Sequence, residues 1–458
     1  MAATSEAAAL ATPGAEPPEA LYRKLSPGPG RPAREVALHQ RARIHGAMIE
    51  IVGERGYRAV TVRELAKLAG VSTRAFYVHF DGKEDCFLRT YELVVQRAAG
   101  RIVAAQRGER EWEQRLRLAF SAFGQEIQGK PPTGRLALVE VLAVGPAALE
   151  QMRRAEGMFE AMVGESFSRA PDEITVPPLL IKGVVAGGAG VARTRLLDGR
   201  EWELPNVAEA LVEWALCYRS EAAAEIGSLN HKFASLGFAG ESEVLRGSEE
   251  ANGDTPGDER ALILSAVAKL AAADGYWKLT VSRIRSAAGV SRRSFDAQFK
   301  SVEDCFLAAL ELRVDRALSQ AKRAYVEGGS WACGTHRALG AICEYIVRDP
   351  VLGRLGFAEA FAPGPDGMRR RESIMASITT LFRESAPPEQ RPTELAAEAS
   401  VAAIWGILHY YVASGQAQRL GQVVPVLSFL ALAPAIGPEA AADAILRGRS
   451  PLALQPVQ

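Results

Sequence analysis

Ser72, Thr73, Arg74, Tyr77 and His79 crowd into one short stretch, with Lys83 close behind. Hydroxyls, a guanidinium, a phenol and an imidazole supply hydrogen-bond donors, without the spacing of a catalytic or metal-binding set. A short helix presenting these groups suits a nucleic-acid surface, where an arginine fork bonds guanine in bidentate fashion. The stretch occurs twice. Ala69-Gly70-Val71-Ser72 returns as Ala288-Gly289-Val290-Ser291, at an offset of 219 (289 − 70). At the same offset Glu84-Asp85-Cys86-Phe87-Leu88 returns as Glu303-Asp304-Cys305-Phe306-Leu307. Each copy has the pattern of a helix-turn-helix, a module that normally reads DNA as a symmetric pair.

The elements that position these groups follow from local signals. Ile44, Ala47, Met48, Ile51 and Val52 recur at helical spacing and predict an amphipathic first helix ending at Gly56. Thr61-Val62-Arg63-Glu64 is a capping box for the next helix. Gly70 supplies the positive φ of a sharp turn. Ser72 then caps a third helix, with Ala75, Phe76 and Phe80 packing inward and Thr73, Arg74, Tyr77 and His79 facing out. This third helix is the one expected in the major groove. Asp81 to Glu84 starts a fourth helix.

The register holds far beyond the heads. Trp112 matches Trp331, Gly134-Arg135-Leu136 matches Gly353-Arg354-Leu355, and Gly187 matches Gly406. A period this long means that a whole protein was duplicated, not a solenoid repeat. The 458 residues then divide into a disordered tail (1–35), a first head (36–90) and a first body (91–225). A linker (226–257), a second head (258–309), a second body (310–440) and a C-terminal tail (441–458) follow.

The Thr61 to Phe80 segment, with Phe76-Tyr77-x-His79-Phe80 followed by Lys83-Glu84, resembles the tetracycline-repressor (TetR/AcrR) family of bacterial regulators. The resemblance is specific over the heads and generic over the bodies. It implies an all-α fold of two tandem units, each a three-helix helix-turn-helix head followed by a helical ligand-binding and dimerisation body. It also implies double-stranded operator DNA and an unknown small-molecule effector as partners, with no cofactor. Carried over, Thr73 and Arg74 are base or phosphate contacts, Tyr77 and His79 touch phosphate or a thymine methyl, and Lys83 is a phosphate contact. Thr61 and Ser72 join this DNA-facing set, as do Thr280, Ser291, Arg292, Arg293 and Gln298 in the second copy. Gly30-Arg31-Pro32 with Arg34 reads either as a minor-groove arm or as a solvated linker.

The second head departs from this pattern. Asp296 replaces Tyr77, Gln298 replaces His79, Val302 replaces Lys83 and Arg283 replaces Glu64. An aspartate facing phosphates is repulsive, yet the head stays basic. From Arg41 to Lys83 there are eight Lys/Arg and four Asp/Glu (+4), and from Arg260 to Val302 eight and two (+6). A re-specified reading head is favoured over a dead one, with Asp296 able to accept from a cytosine amino group.

The bodies are less informative. Trp112, Phe120, Phe123, Met158 and Phe159 in the first, and Trp331, Phe357 and Phe361 in the second, are candidates to line a ligand pocket, although plain core is the commoner role at such spacing. Val184 to Leu197 and Val401 to Val412 match the place where family members pair their bodies, so intramolecular pairing is expected, with homodimerisation left open. A linker of about 30 residues spans roughly 30 Å as a flexible coil. Cys86 and Cys305 read as small packing residues ahead of redox sensors. Five cysteines without a C-x-x-C pair give no disulfide framework or zinc site. Val423 to Gly437, interrupted by Pro425 and Pro434, reads as a buried helix pair and not a membrane span. No catalytic or metal site is found, and a cytoplasmic location on the nucleoid is expected. The leading function is a ligand-responsive repressor acting as a single-chain pseudo-dimer on an asymmetric operator. The alternative is a scaffold in which only the first head binds DNA.

Overall fold

The computed structural model describes residues 33–235, 258–360 and 364–448, and every regular element among them is helical. The chain forms two compact units. One comprises Met1–Pro171 with Ala189–Val212, the other Asp172–Gly188 with Glu213–Gln458.

In the first unit the head is built from α1 (Ala33–Arg55), α2 (Val62–Ala69), α3 (Thr73–His79) and the start of α4 (Lys83–Ala105). Its body holds α5 (Trp112–Gly129), α6 (Pro131–Leu138) and α7 (Pro146–Ser168), with parts of α8 (Pro178–Leu197) and α9 (Leu204–Leu216). The local rules explain the head. Thr61 accepts from Glu64 N at 3.2 Å, and the Glu64 carboxylate accepts from the Thr61 hydroxyl at 2.9 Å. Gly70 sits at φ 63°, ψ 38°, where a side chain would be strained. Ser72 accepts from Ala75 N at 3.0 Å and starts α3. Phe76, Phe80 and Phe87 are fully buried with Ile44, Met48 and Leu65.

The second unit contains α10 (Glu221–Ser235), then the second head of α11 (Glu259–Asp274), α12 (Val281–Ala288), α13 (Arg292–Gln298) and the start of α14 (Val302–Val326). Its body is α15 (Trp331–Arg348), α16 (Pro350–Gly353), a π-helical turn (Arg354–Glu359), α17 (Pro365–Glu384), α18 (Glu394–Ala413), α19 (Leu420–Ile436) and α20 (Pro438–Gly448). Gly289 repeats the turn at φ 70°, ψ 26°, and Phe295, Phe299 and Phe306 repeat the buried aromatic core.

Segments 172–188 and 213–235 of the first copy belong to this second unit and pack on the second body. Trp214 Nε1 donates to Ser400 Oγ at 3.0 Å, and the Tyr218 hydroxyl donates to the Leu430 carbonyl at 2.9 Å. A Cβ on Gly187 would lie 2.8 Å from the Ala399 carbonyl oxygen, so only glycine allows α8 this close to α18.

Several boundaries differ from those expected. The stretch 226–235, expected as linker, is the last two-thirds of α10, and 441–448, expected as tail, completes α20. Ala222 to Ile226 and Ala441 to Ile445 carry the apolar spacing that makes these segments helical rather than solvated, with Ala223, Ile226, Ala441, Ala442 and Ile445 buried. Residues 33–35 already belong to α1, so Arg34 is helical, while Gly30-Arg31-Pro32 and Phe361 lie outside the described residues. Val423 to Gly437 is not a helix pair: α19 runs unbroken through Pro425 and Pro434. Each proline removes one amide donor, but the continuous burial from Val423 to Ala433 outweighs that loss. Glu394–Ala413 and Ala417–Ile436 are long and apolar enough to cross a membrane, yet more than half of each is buried inside the protein, as core helices are.

One pair of substitutions between the copies is compensated. Arg55 pairs with Glu64 at 3.1 Å in the first head; at the equivalent positions of the second head Asp274 pairs with Arg283. The ion pair tying the end of the first helix to the second helix survives with its polarity reversed. In the first head, E64R sets two cations together and is expected to lower the thermal midpoint. The double variant R55D/E64R should recover most of that loss in the same melting experiment.

Candidate nucleic-acid interface

The outward face of α3 is set by its inward one. Because Phe76 and Phe80 are buried, Thr73, Arg74, Tyr77 and Val78 are turned to solvent. Arg74 makes no ion pair or hydrogen bond among the described residues, leaving its whole guanidinium available. Val78, 75% exposed, was not singled out from the sequence; its neighbours at helical spacing mark it as outward. His79 is half-buried, with Nε2 3.0 Å from Gln40 Oε1, and burial reinforced by Arg41 lowers its pKa. It therefore faces solvent less freely than Thr73, Arg74 and Tyr77.

Five further candidates already have structural duties. Thr61 and Ser72 cap α2 and α3, as Thr280 and Ser291 cap α12 and α13, with acceptor distances of 3.2 Å to Arg283 N and 3.0 Å to Ser294 N. Lys83 Nζ donates to the Val60 carbonyl at 3.3 Å and lies 4.6 Å from the Tyr57 ring centroid, a cation over an aromatic face. Its ammonium is turned toward the preceding turn.

In the second head Arg292, Arg293, Asp296, Ala297 and Gln298 are exposed around α13. Asp296 is not free to meet a base amino group: Arg292 Nε donates to it at 2.8 and 3.0 Å. Arg260 Nη1 donates to the Gln298 carbonyl at 3.4 Å and stacks over Phe299, its guanidinium carbon 4.6 Å from the ring centroid.

Both heads are fastened to their bodies by the same device, missed in the sequence. The Tyr57 amide, orphaned where Gly56 ends α1, donates to Glu140 Oε2 at 2.9 Å. The Tyr276 amide donates to Glu359 Oε2 at 3.0 Å. Glu140 and Glu359 are identical residues at the repeat offset, which was the available signal. Burial pushes the Glu140 pKa up, partly opposed by the Tyr57 amide and by Arg135 and Arg58.

The pocket candidates are not all brought together. Phe123 and Phe159 meet at 6.5 Å between α5 and α7, with Phe120 and Met158 half-buried on the same two helices. Trp112 instead contacts Phe167 at 6.2 Å. In the second body Trp331 is buried against Phe382 at 5.5 Å, with Nε1 donating to Ser385 Oγ at 3.3 Å. Phe357 stacks on Trp405 at 5.8 Å, and Trp405 on His409 at 5.0 Å. Arg371 lies 4.1 Å from the Trp405 ring centroid, and none of these three partners had been anticipated. The segments 117–123 and 336–342 share a further property: every residue is half-buried, all the way round the helix. Cys86 and Cys305 are fully buried and burial pushes both thiols up to about 12, which fits packing and not redox reactivity.

The family described as "Bacterial regulatory proteins, tetR family" matches at two places, residues 46–90 and 263–309, one over each head. The chain is a tetR-family regulator with two tandem units. It is similar to the HTH-type transcriptional activator FasR of Mycolicibacterium smegmatis, 28% identical over 170 residues, covering 37% of this chain and 78% of the relative. Among solved structures it is similar to the fatty acid degradation regulator FadR from Bacillus halodurans, with 15% identity and a TM-score of 0.35 over 38% of this chain and 96% of that one. A FadR from Bacillus subtilis in complex with stearoyl-CoA gives 16% identity and a TM-score of 0.33, again over 38% and 96%. With the family's match over both heads, this tetR-family chain is a DNA-binding transcription regulator.

The head–body joint predicts two results. E140A removes the acceptor of a part-buried amide and should cost about 1 kcal/mol or more of unfolding free energy. E140Q keeps an acceptor without the charge. A carboxylate whose folded pKa is raised binds its proton more tightly in the native state, so its destabilising effect is absent below the unfolded pKa and grows as pH rises through the folded value. Denaturant titrations should therefore show wild-type stability falling across that window relative to E140Q. With a thiol reagent, the native chain should react at Cys217 and Cys333 well before the buried Cys86, Cys305 and Cys343.

Proposed function

We propose that this tetR-family regulator acts as a single-chain pseudo-dimer whose two heads read two different half-sites of an asymmetric operator under control of a small-molecule effector. The observation that carries it is the second head, which keeps the buried phenylalanines, the Thr and Ser helix caps and the turn glycine of the first while changing most of its outward residues. A head relieved of DNA contact has no reason to retain Arg292 and Arg293 on the exposed face of a correctly capped α13. Thr73, Arg74, Tyr77 and Val78 in the first head, and Arg292, Arg293 and Gln298 in the second, are assigned to the interface. Lys83 and His79 are assigned to its edge.

Pairing of the copies within one chain is supported by the Trp214–Ser400 and Tyr218–Leu430 hydrogen bonds. Linking two heads raises their effective concentration on DNA over that of separate monomers. The effector is assigned to the bodies, beside the half-buried segments 117–123 and 336–342. Phe123 and Phe159 suit an apolar group there. Whether occupancy represses or activates depends on where the operator lies relative to the promoter. The resemblance points to repression, whereas the Mycolicibacterium smegmatis relative is named an activator. The protein would act in the cytoplasm, on nucleoid DNA.

Footprinting with the full-length chain on the DNA upstream of its own gene should protect two unlike half-sites. Affinity should fall steeply with salt as phosphate counterions are released. R292A/R293A should lose protection over one half only; unchanged protection favours the scaffold reading, with one active head. Sedimentation of the complex should find one chain per operator, and two chains would refute the pseudo-dimer.

A further inference from the structure

The geometry points to Asp296 as a positioning residue that aims Arg292 at a guanine, giving the second half-site a base preference through an Arg–Asp pair that the first head lacks. This rests on the proposed contact between the second head and DNA, and deepens it by naming a reader and its support. Asp296 lies one helical turn beyond Arg292 on α13, and both of its oxygens accept from Arg292 Nε, at 2.8 and 3.0 Å. The terminal nitrogens Nη1 and Nη2 make no hydrogen bond among the described residues. A guanidinium held by its Nε edge keeps this terminal fork free, and the fork's two parallel donors match the N7 and O6 acceptors of guanine in the major groove. Adenine presents an amino group where guanine presents O6, so the same fork meets a donor and is rejected.

The partner charge also explains why an acid is tolerated beside phosphates. Paired with Arg292, Asp296 leaves the start of α13 locally neutral, while Arg293 stays exposed to supply positive charge. The first head lacks this arrangement. Its equivalents of Arg292 and Asp296 are Thr73 and Tyr77, and Arg74 has Val78, not an acid, one turn on. Arg74 therefore has no side-chain partner one turn on, whereas the Nε edge of Arg292 is bonded to Asp296. The feature that looked like damage to the DNA-facing surface is what makes the second head selective.

Enrichment of duplexes with a randomised core, using the full-length chain, tests this. The wild type should select one half-site with a fixed guanine that R292A no longer selects. D296A should reduce the preference for that guanine over adenine about tenfold or more. Its affinity for a scrambled duplex should hold or rise, because a negative charge near phosphates is gone. D296N, which retains an oxygen acceptor for Nε, should recover part of the preference. A guanine preference unchanged in D296A, or equal strengthening on every sequence, overturns the positioning role alone. If R292A/R293A leaves the selected sites and affinities unaltered, the second head does not touch DNA and the underlying reading falls too.

Discussion

Each head of this protein is tied to its body by one part-buried hydrogen bond from a backbone amide. When Gly56 or Gly275 breaks the first helix, the next amide is left without an intrahelical acceptor. An amide removed from water without an acceptor is costly. Glu140 and Glu359 reach it from the body instead. That contact fixes where the following 3-10 turn lies (Tyr57–Ala59 or Tyr276–Lys278), hence where Thr61 or Thr280 starts the second helix, hence the direction of the recognition helix after its left-handed glycine. The Tyr57–Phe87 and Tyr276–Phe306 ring contacts, both 5.1 Å, brace the same turn. Irregular helix surrounds the carboxylate in both bodies, a 3-10 turn at Glu140–Ala143 and a π turn at Arg354–Glu359. Such deformable segments often occur at functional positions.

With that joint held constant, the copies diverged where physics allowed it. Buried aromatics, caps and turn glycines are shared. Apart from Arg74 and its equivalent Arg293, exposed residues of the recognition helices are not, because a solvent-facing side chain can change without opening a cavity. Lys83 shows why position-by-position comparison needs structure. Its replacement by Val302 looks like the loss of a phosphate contact, yet Lys83 caps the Val60 carbonyl and covers the Tyr57 ring. Its loss removes less from DNA binding than a charge count implies.

The heads were legible in the sequence because their signals are local: capping residues, a glycine turn and helical apolar spacing all lie within a few positions. The repeat offset extended that legibility to the bodies. What stayed hidden was non-local. Tyr57 and Glu140 are 83 positions apart, and only the fold brings them together. The Arg55–Glu64 exchange for Asp274–Arg283 reads, one residue at a time, as a lost capping box. Trp112 and Trp331, aligned in the repeat, pack against Phe167 and Phe382, which do not hold equivalent positions. A conserved tryptophan thus did not fix a conserved pocket. The stacked Phe357, Trp405 and His409, with Arg371 over them, replace Leu138, Ala186, Gly190 and Met152 of the first copy, so one body cannot be inferred from the other.

The contacts between first-copy segments and the second body carry the same asymmetry. A two-fold symmetric pair repeats every contact, residue i on j and j on i. Here Trp214 bonds Ser400, but the mirrored positions are Ala433 and Ile181, which have no side-chain donor or acceptor. Tyr218 bonds the Leu430 carbonyl, and its mirror is Gly437, with no hydroxyl to offer. Each hydrogen bond exists once and in one direction. In separate, identical chains a tryptophan placed to meet a serine would appear in both partners, and each change would act twice. Duplication within one chain removes that constraint, letting one copy acquire the donor and the other the acceptor. The same freedom explains how one recognition helix gained an Arg–Asp pair while the other kept its threonine and tyrosine.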